Sequence, residues 1–452
     1  MSPSNHHNRR NHRQPPPVLA RSSKYRTICD LPVELLCMII SHVKSDTWTI
    51  RTCTLVCHCL RAVSLEHHFR NALSVRDIDA FDHLFSFLRA NPKICEKTGS
   101  IRLSGATRKV GKHGYAPLTS IDDNTVLELT QLLPNLTALR LGYFVYIPPQ
   151  LSAPRRNPDA EQDPPAPFRL EQLSFGSTTT SSSKGSSISG LFRILSMFDV
   201  DSLYGEPTGW DINAPIPFDI SSLHRPLRTK KLRLWNRGSV GDRRFTMMLL
   251  EAFTKSLEPG CLRDLNLECS TVSEVSAIGE LLARAGQGLT SLQVAGECPP
   301  PVASMRDGWK DPLDSHWESL NLASCPRLES ININIYFRAS GDEKQPTDHP
   351  ALSLAGAGML SQASGTLRKI AIWLHDLPRI TTLNNRRLLR LQAFDRIITQ
   401  DRFPLLEEVK LRISVHYDLR RKPSYDWQKV VLGTQKALRG LHSRGLLEVT
   451  GW

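Results

Sequence analysis

From Ile28 the chain turns from polar to patterned: Leu31, Leu35, Leu36, Ile39, Ile40 and Val43 recur three and four residues apart, the spacing of one helical face. Asp30 stands where a cap is needed, and Pro32 suits a first turn, whose N–H has no intrahelical partner in any case. A second cap signal, Ser45-Asp46, opens a segment that puts Ile50, Cys53, Cys57 and Leu60 on one face, widened by Trp48, Leu55, Val56 and Val63. The pattern predicts about three short helices ending near Phe69.

Beyond Ala80 a shorter unit takes over, L-x-x-[LIV]-x-[LIV/F], usually behind a polar or helical stretch. Its clear copies are Leu136/Leu139/Leu141, Leu170/Leu173/Phe175, Leu262/Leu265/Leu267, Leu289/Leu292/Val294, Leu328/Ile331/Ile333, Leu367/Ile370/Ile372 and Leu406/Val409/Leu411. Partial copies stand at Ile101/Leu103, Val200/Leu203 and Leu232/Leu234. Val294, Ile333, Ile372 and Leu411 are each 39 residues apart, a regularity that scattered leucines rarely produce. Trp317/Leu320/Leu322 fits the template too, but too close before Ile333 for an ordinary repeat, so Ser315 to Ala323 is assigned to the helix preceding that strand. Glu274 to Arg284, Leu352 to Gln362, Leu388 to Thr399 and Trp427 to His442 show helical spacing. Strands therefore alternate with helices, and the fold class expected is α/β: units that each bury their apolar side only by stacking on a neighbour, with parallel strands on the concave side and helices outside.

Polar interruptions are expected as loops near 148–167, 176–187 and 338–350, rich in proline, in Ser and Thr, and in polar residues respectively. Residues 1–26 carry six Arg or Lys, no acid and almost nothing apolar, which predicts a disordered basic tail and leaves nuclear targeting open. The organisation expected is thus a tail at 1–26, a helical domain at 27–75 and a repeat domain at 76–452.

Composition adds few constraints. With 40% hydrophobic and 22% charged residues among 452, the chain reads as soluble and folded. No apolar stretch approaches the roughly 20 residues of a membrane span and no secretory signal opens the sequence, so a cytoplasmic or nuclear protein with reduced cysteines is expected. The formal charge of +13 invites a nucleic-acid reading. Its clusters are scattered, however: Arg9, Arg10 and Arg13; Arg228, Lys230, Lys231 and Arg233 flanking a predicted strand; and Arg420, Arg421 and Lys422. Without interleaved aromatic residues, solvated faces are the expected reading.

Cys53, Cys57, His58 and Cys59, with His42, His67 and His68 nearby, suggest zinc by residue type, but helical spacing sends Cys59 away from the stripe that holds Cys53 and Cys57. They are read as small core residues, and no metal or cofactor is expected. Gly356-Ala357-Gly358 lacks the third glycine of a dinucleotide loop, where Ser361 stands, and lies in a helical stretch. Gly111-Lys112-His113-Gly114 lacks the upstream glycine of a phosphate loop, and no spacing selects an acid–base pair, so no enzymatic role is expected.

One segment carries a family pattern. Leu31-Pro32-Val33-Glu34-Leu35-Leu36, then Ile39-Ile40, Val43, the Leu55-Val56-Cys57 step and Phe69, resembles an F-box, whose pattern is L-P-x-E-L-L-x-x-I, a hydrophobic residue four on, a later V-C/S-[KR]-x-[WF] segment and a closing aromatic. With the downstream repeats, the chain resembles leucine-rich-repeat F-box proteins over both parts. The resemblance implies a three-helix F-box followed by an irregular leucine-rich-repeat solenoid. It implies a non-catalytic substrate-recognition subunit of an SCF-type cullin-RING ubiquitin ligase, bound through a Skp-family adaptor to a cullin and holding a protein substrate. By position, Leu31, Pro32, Leu35, Leu36, Ile39 and Val43 would pack on the adaptor or hold the helix that does, supported by Leu55, Val56 and Leu60. The family often has Trp where this chain has Leu60 and a basic residue where it has His58; a smaller anchor would weaken docking. The alternative is a repeat scaffold outside any ligase, binding protein or nucleic acid.

Overall fold

The computed structural model describes residues 28–43, 46–71, 73–110, 114–147, 167–178, 187–208, 218–234, 243–269, 272–297, 315–336, 350–377, 391–415 and 426–451. They form two compact units, one ending at His68 and the other starting at Phe69. The expected tail at 1–26 and the basic groups at Arg9 to Arg13 and Arg420 to Lys422 lie outside the described residues, as do 111–113 and most of the three expected loops.

The first unit holds three helices, α1 (Val33–His42), α2 (Thr47–Val56) and α3 (His58–Asn71), the last running on past the division. Asp30 belongs to a 3₁₀ turn, Ile28–Asp30, and Pro32 takes the cap position of α1, its carbonyl accepting from Leu35 N–H (3.0 Å) and Leu36 N–H (3.2 Å). Asp46 caps α2 as expected: its carboxylate accepts from the N–H groups of Trp48 (3.0 Å) and Thr49 (3.2 Å). The Thr49 hydroxyl also donates to it, and these bonds hold the Asp46 carboxyl below its usual range. Cys57 is extended (φ −159°, ψ 166°), so the apolar face read as continuous from Ile50 to Leu60 is shared between two helices. Leu36, Ile40, Ile50, Leu60 and Val63 meet in its core, with Cys37, Val43, Cys53 and Cys57 packed against them.

The second unit is built on one 12-stranded parallel sheet with helices in the crossovers. Its strands are β1 (Leu73–Ile78), β2 (Ser100–Gly105), β6 (Ala138–Gly142), β8 (Phe168–Thr178), β9 (Phe198–Thr208), β10 (Arg228–Leu234), β11 (Asp264–Cys269), β12 (Ser291–Glu297), β13 (Ser330–Tyr336), β14 (Lys369–Leu377), β15 (Glu408–Val415) and β16 (Leu447–Gly451), each hydrogen-bonded to the next. The sheet is open, with β1 and β16 at its edges and no closure into a barrel. A hairpin of β3 (Thr107–Val110) and β4 (Gly114–Pro117) and a pair of short strands, β5 (Ser120–Ile121) and β7 (Val145–Tyr146), stand beside it.

The register explains the sequence pattern. The second motif position forms one continuous row: Ile101, Leu139, Leu173, Leu203, Leu232, Leu265, Leu292, Ile331, Ile370, Val409 and Leu447 are partners from strand to strand. The 39-residue series is part of a second row, Val294, Ile333, Ile372 and Leu411, extended to Val449. All but the terminal Leu447 and Val449 are buried in the larger core. Successive side chains of a strand point to opposite faces, so apolar residues two apart share that core. A backbone ladder locks each unit to the preceding one: the N–H groups of Arg263, Thr290, Glu329, Arg368 and Glu407 donate to the carbonyls of Lys230, Arg263, Thr290, Glu329 and Arg368, at 2.8 to 2.9 Å. At Gly205 the second row is filled from its neighbours; a Cβ there would lie 2.6 Å from Phe175 and 2.7 Å from Leu234.

The crossovers contain α4 (Phe81–Ala90), α5 (Pro92–Lys97), α6 (Asp123–Leu132), α7 (Ile188–Leu195), α8 (Arg243–Ser256), α9 (Val272–Ala285) and α10 (Pro350–Gln362), then the helices Gln392–Ile397, Trp427–Ala437 and Arg439–Ser443. The stretch expected as a helix from Leu388 is described only as Gln392–Ile397, and that expected from Trp427 to His442 breaks at Leu438. Ser315–Leu320 and Leu322–Ser324 are 3₁₀ helices before β13, as the assignment of that segment requires. Two loop boundaries are corrected. β8 continues to Thr178, past the expected loop start at 176, and Ser187 is a buried N-cap of α7 whose hydroxyl accepts from Gly190 N–H at 3.2 Å. Gly356 lies within α10, where a Cβ would meet Phe394 and Ile333.

Candidate functional site

The first unit has far more apolar surface than its core can take. Among the described residues, the exposed large apolar side chains are Ile28, Leu31, Val33, Leu35, Met38, Ile39, Trp48, Leu55 and Val56 here, against Phe87, Leu118, Ile220, Leu405 and Leu432 in the rest of the chain. Helical geometry separates the two sets: Leu36 and Ile40, four apart, turn inward, while Leu31, Leu35, Met38 and Ile39 occupy the other flank of the same segment. Trp48 is 74% and Leu55 85% exposed, so α2 buries only Ile50, with Cys53 partly covered. A concentration of exposed large apolar residues in so short a segment points to an interaction site.

The structure sorts the nine residues singled out from the sequence into two groups. Leu31, Pro32, Leu35, Ile39, Leu55 and Val56 are exposed, whereas Leu36 and Leu60 are buried and Val43 is half-buried against them. Of the three residues expected as supports, Leu60 is core, at 4% exposed, whereas Leu55 and Val56 are on the surface. Five residues apart, Leu55 and Leu60 would lie on different sides even of one continuous helix, and the extended Cys57 divides them between α2 and α3. Val33, Met38 and Trp48 join the exposed set; all three lie in the patterned segments, and only their burial distinguishes them.

Cys53 and Cys57 pack on this core while Cys59 is exposed, so the three thiols do not converge. No group of three His, Cys, Asp or Glu side chains placed to hold a metal ion occurs among the described residues. None of the described helices is long and apolar enough to cross a membrane.

In the second unit, Arg228, Lys230, Lys231 and Arg233 lie within β10 rather than flanking a strand. Arg228 pairs with Glu258, Lys230 with Asp201 at 2.8 Å, and Arg233 stands 5.6 Å over the Tyr204 ring. Most of this cluster is thus neutralised or stacked within the fold. A buried ion group joins distant parts of the chain: the Asp123 carboxylate accepts from Arg193 Nε at 2.7 Å and lies 3.2 Å from His224 Nε2. Burial alone would raise the Asp123 carboxyl, but the hydrogen bonds and charges of His224 and Arg193 outweigh it and hold the group at about 2. Compared with known proteins, the sequence matches no family model and no curated protein.

Proposed function

We propose that the helical unit is an F-box that docks on a Skp-family adaptor, and that the parallel sheet with its crossovers is a leucine-rich-repeat solenoid that holds a protein substrate for an SCF-type cullin-RING ubiquitin ligase. On this reading the chain is a non-catalytic subunit, and ubiquitin transfer takes place on its partners. The observation that carries it is the exposed apolar set on α1 and α2, beside a core in which five apolar side chains are buried among the described residues. A unit this small cannot cover those residues itself, and a partner surface is the physical remedy.

The magnitudes are adequate. Full burial of a Leu or Ile is worth roughly 1.5 to 3 kcal/mol, and Leu35 and Ile39 are each 43% exposed, so each has roughly 1 kcal/mol still to gain. Leu55, Trp48 and Val56 have more, and the set together can exceed the cost of association. Because Leu60 is already core, its small size costs the docking surface nothing directly.

The test is Leu35→Asp with Ile39→Asp in the full chain. Both side chains are exposed, so the unit keeps its core, and the double variant loses co-purification with a Skp-family adaptor. Undiminished co-purification would sink the reading. The scaffold alternative rests on the net charge of +13; it calls for no adaptor binding by the parent chain and for nucleic-acid affinity that falls steeply with salt.

A further inference from the structure

The parallel register brings together three arginines that are far apart in sequence. Arg102 of β2 and Arg140 of β6 are direct partners; Arg76 is not level with them but lies on β1 two residues beyond Ser74, the partner of Arg102, where the β1–β2 register shifts between Val75 and Ile78, and its charge still reaches Arg102. All three are exposed on the polar side of the sheet. Like charges directly opposite one another on neighbouring strands destabilise a sheet, so their juxtaposition requires a compensating reason. Desolvation first, and then the charges of the nearby Arg140 and Arg76, push the Arg102 guanidinium down from its ordinary value.

Two cations elsewhere on the same side are answered within the fold. Lys410 sits between Glu448 at 2.7 Å and Glu408 at 3.4 Å, and Arg412 stacks 4.6 Å over Trp373. Arg76 and Arg102 have no ion pair among the described residues, and Arg140 has only Glu206, at 3.8 Å with both side chains half exposed. Beside them the next register row is Ser104, Gly142 and Gly176. A Cβ on Gly142 would meet nothing nearer than 3.9 Å, so backbone crowding does not impose the glycine, and the small row leaves room next to the guanidiniums.

We propose that Arg76, Arg102 and Arg140 form a binding row for a carboxylate-rich segment of a partner protein. Carboxylates are the counter-charge that Lys410 takes on this side, and Glu206 shows how one approaches the row. Each guanidinium fork can donate two parallel hydrogen bonds to a planar carboxylate. The row spans only two strand steps, about 10 Å, with an acid at its border. That extent suits a short acidic segment better than nucleic acid, whose binding draws on contacts to many phosphates. The proposal deepens the reading of the sheet as a protein-holding surface and does not depend on its adaptor half.

The test uses the full chain and fluorescein-labelled octaglutamate in an anisotropy titration, against octaglutamine, a neutral peptide with one phosphoserine, and a short thymidine oligonucleotide. Octaglutamate should bind at least about tenfold more tightly than octaglutamine, and Arg102→Gln with Arg140→Gln should weaken it about tenfold. Arg327→Gln with Arg439→Gln, which removes the same charge from exposed positions elsewhere, should change affinity by less than about twofold. Because the row repels itself, the Arg102/Arg140 variant should melt no lower than the parent. Equal loss in both double variants, or no loss in either, overturns the proposal. So does tighter, row-dependent binding of the oligonucleotide or the phosphoserine peptide. Leu35→Asp with Ile39→Asp should leave octaglutamate binding unchanged, so failure of the row and failure of adaptor docking are separately visible.

Discussion

Gly279 lies in the middle of α9, where helix propensity alone says that Ala should be better by about 0.8 to 1.0 kcal/mol. The structure reverses the sign. A Cβ at Gly279 would lie 1.6 Å from the carbonyl oxygen of Ser319 and 2.8 Å from its carbon, both backbone atoms of the 3₁₀ helix Ser315–Leu320. Real Cβ contacts essentially never fall under 3.0 Å, so α9 and that helix must part by roughly 1.5 Å. Between and beside them are Ile278, Leu282, Leu320 and Leu322, all fully buried, whose contacts a shift of that size would loosen. Overpacking typically costs 1 to 3 kcal/mol, and a backbone clash belongs at the upper end. Set against the propensity gain, Gly279→Ala should be destabilising by about 2 kcal/mol. A unit this large need not melt in two states, so the sharper readout is native-state hydrogen exchange of the α9 and β12 amides, with the thermal midpoint beside it. Ser276→Ala, at an exposed position of the same helix, is the control and should be neutral or mildly stabilising. If Gly279→Ala protects α9 as well as or better than the parent, the close packing of these two helices is refuted.

Two further outcomes follow from the same geometry. Asp123 is 3% exposed and its folded-state carboxyl, at about 2, lies below the ordinary 3.8, so its contribution is fully present above pH 3.8 and is lost as pH falls through about 2. That amounts to roughly 2 kcal/mol. Asp123→Asn should lower the thermal midpoint at neutral pH and flatten its fall between pH 5 and 2; an unchanged acid slope would remove the Asp123–Arg193–His224 group from the account. Trp48→Ser with Leu55→Ser replaces two side chains that are mostly in water, so the fold should lose less than about 0.5 kcal/mol while self-association of the isolated chain, read by light scattering, declines. A marked loss of helicity would mean that these residues hold the unit together.

Periodicity made much of this architecture legible. The 39-residue series maps onto direct strand partners because a parallel sheet whose strands follow in sequence order converts a fixed repeat length into fixed register. The same logic placed Trp317 to Leu322 in the crossover before β13. The period carried through Cys57 finds the inner residues Ile50, Cys53, Cys57 and Leu60, but Trp48, Leu55 and Val56, read as widening that face, are exposed. Ser187 read as loop because its composition is that of a loop, whereas its hydroxyl caps a buried helix. The associations with most chemical content, Asp123 with Arg193 and His224 and the row of Arg76, Arg102 and Arg140, join residues tens of positions apart in different repeats. No local pattern signals them, because each depends on register rather than on spacing.

Adaptor docking is proposed for the exposed apolar side chains of α1 and α2. Isothermal titration of the full chain with a purified Skp-family adaptor, repeated at several temperatures, tests it most directly. The account predicts a one-to-one complex with a negative heat-capacity change from apolar burial, abolished by Leu35→Asp with Ile39→Asp. No complex with the parent chain, or one that the double variant forms equally well, would contradict it.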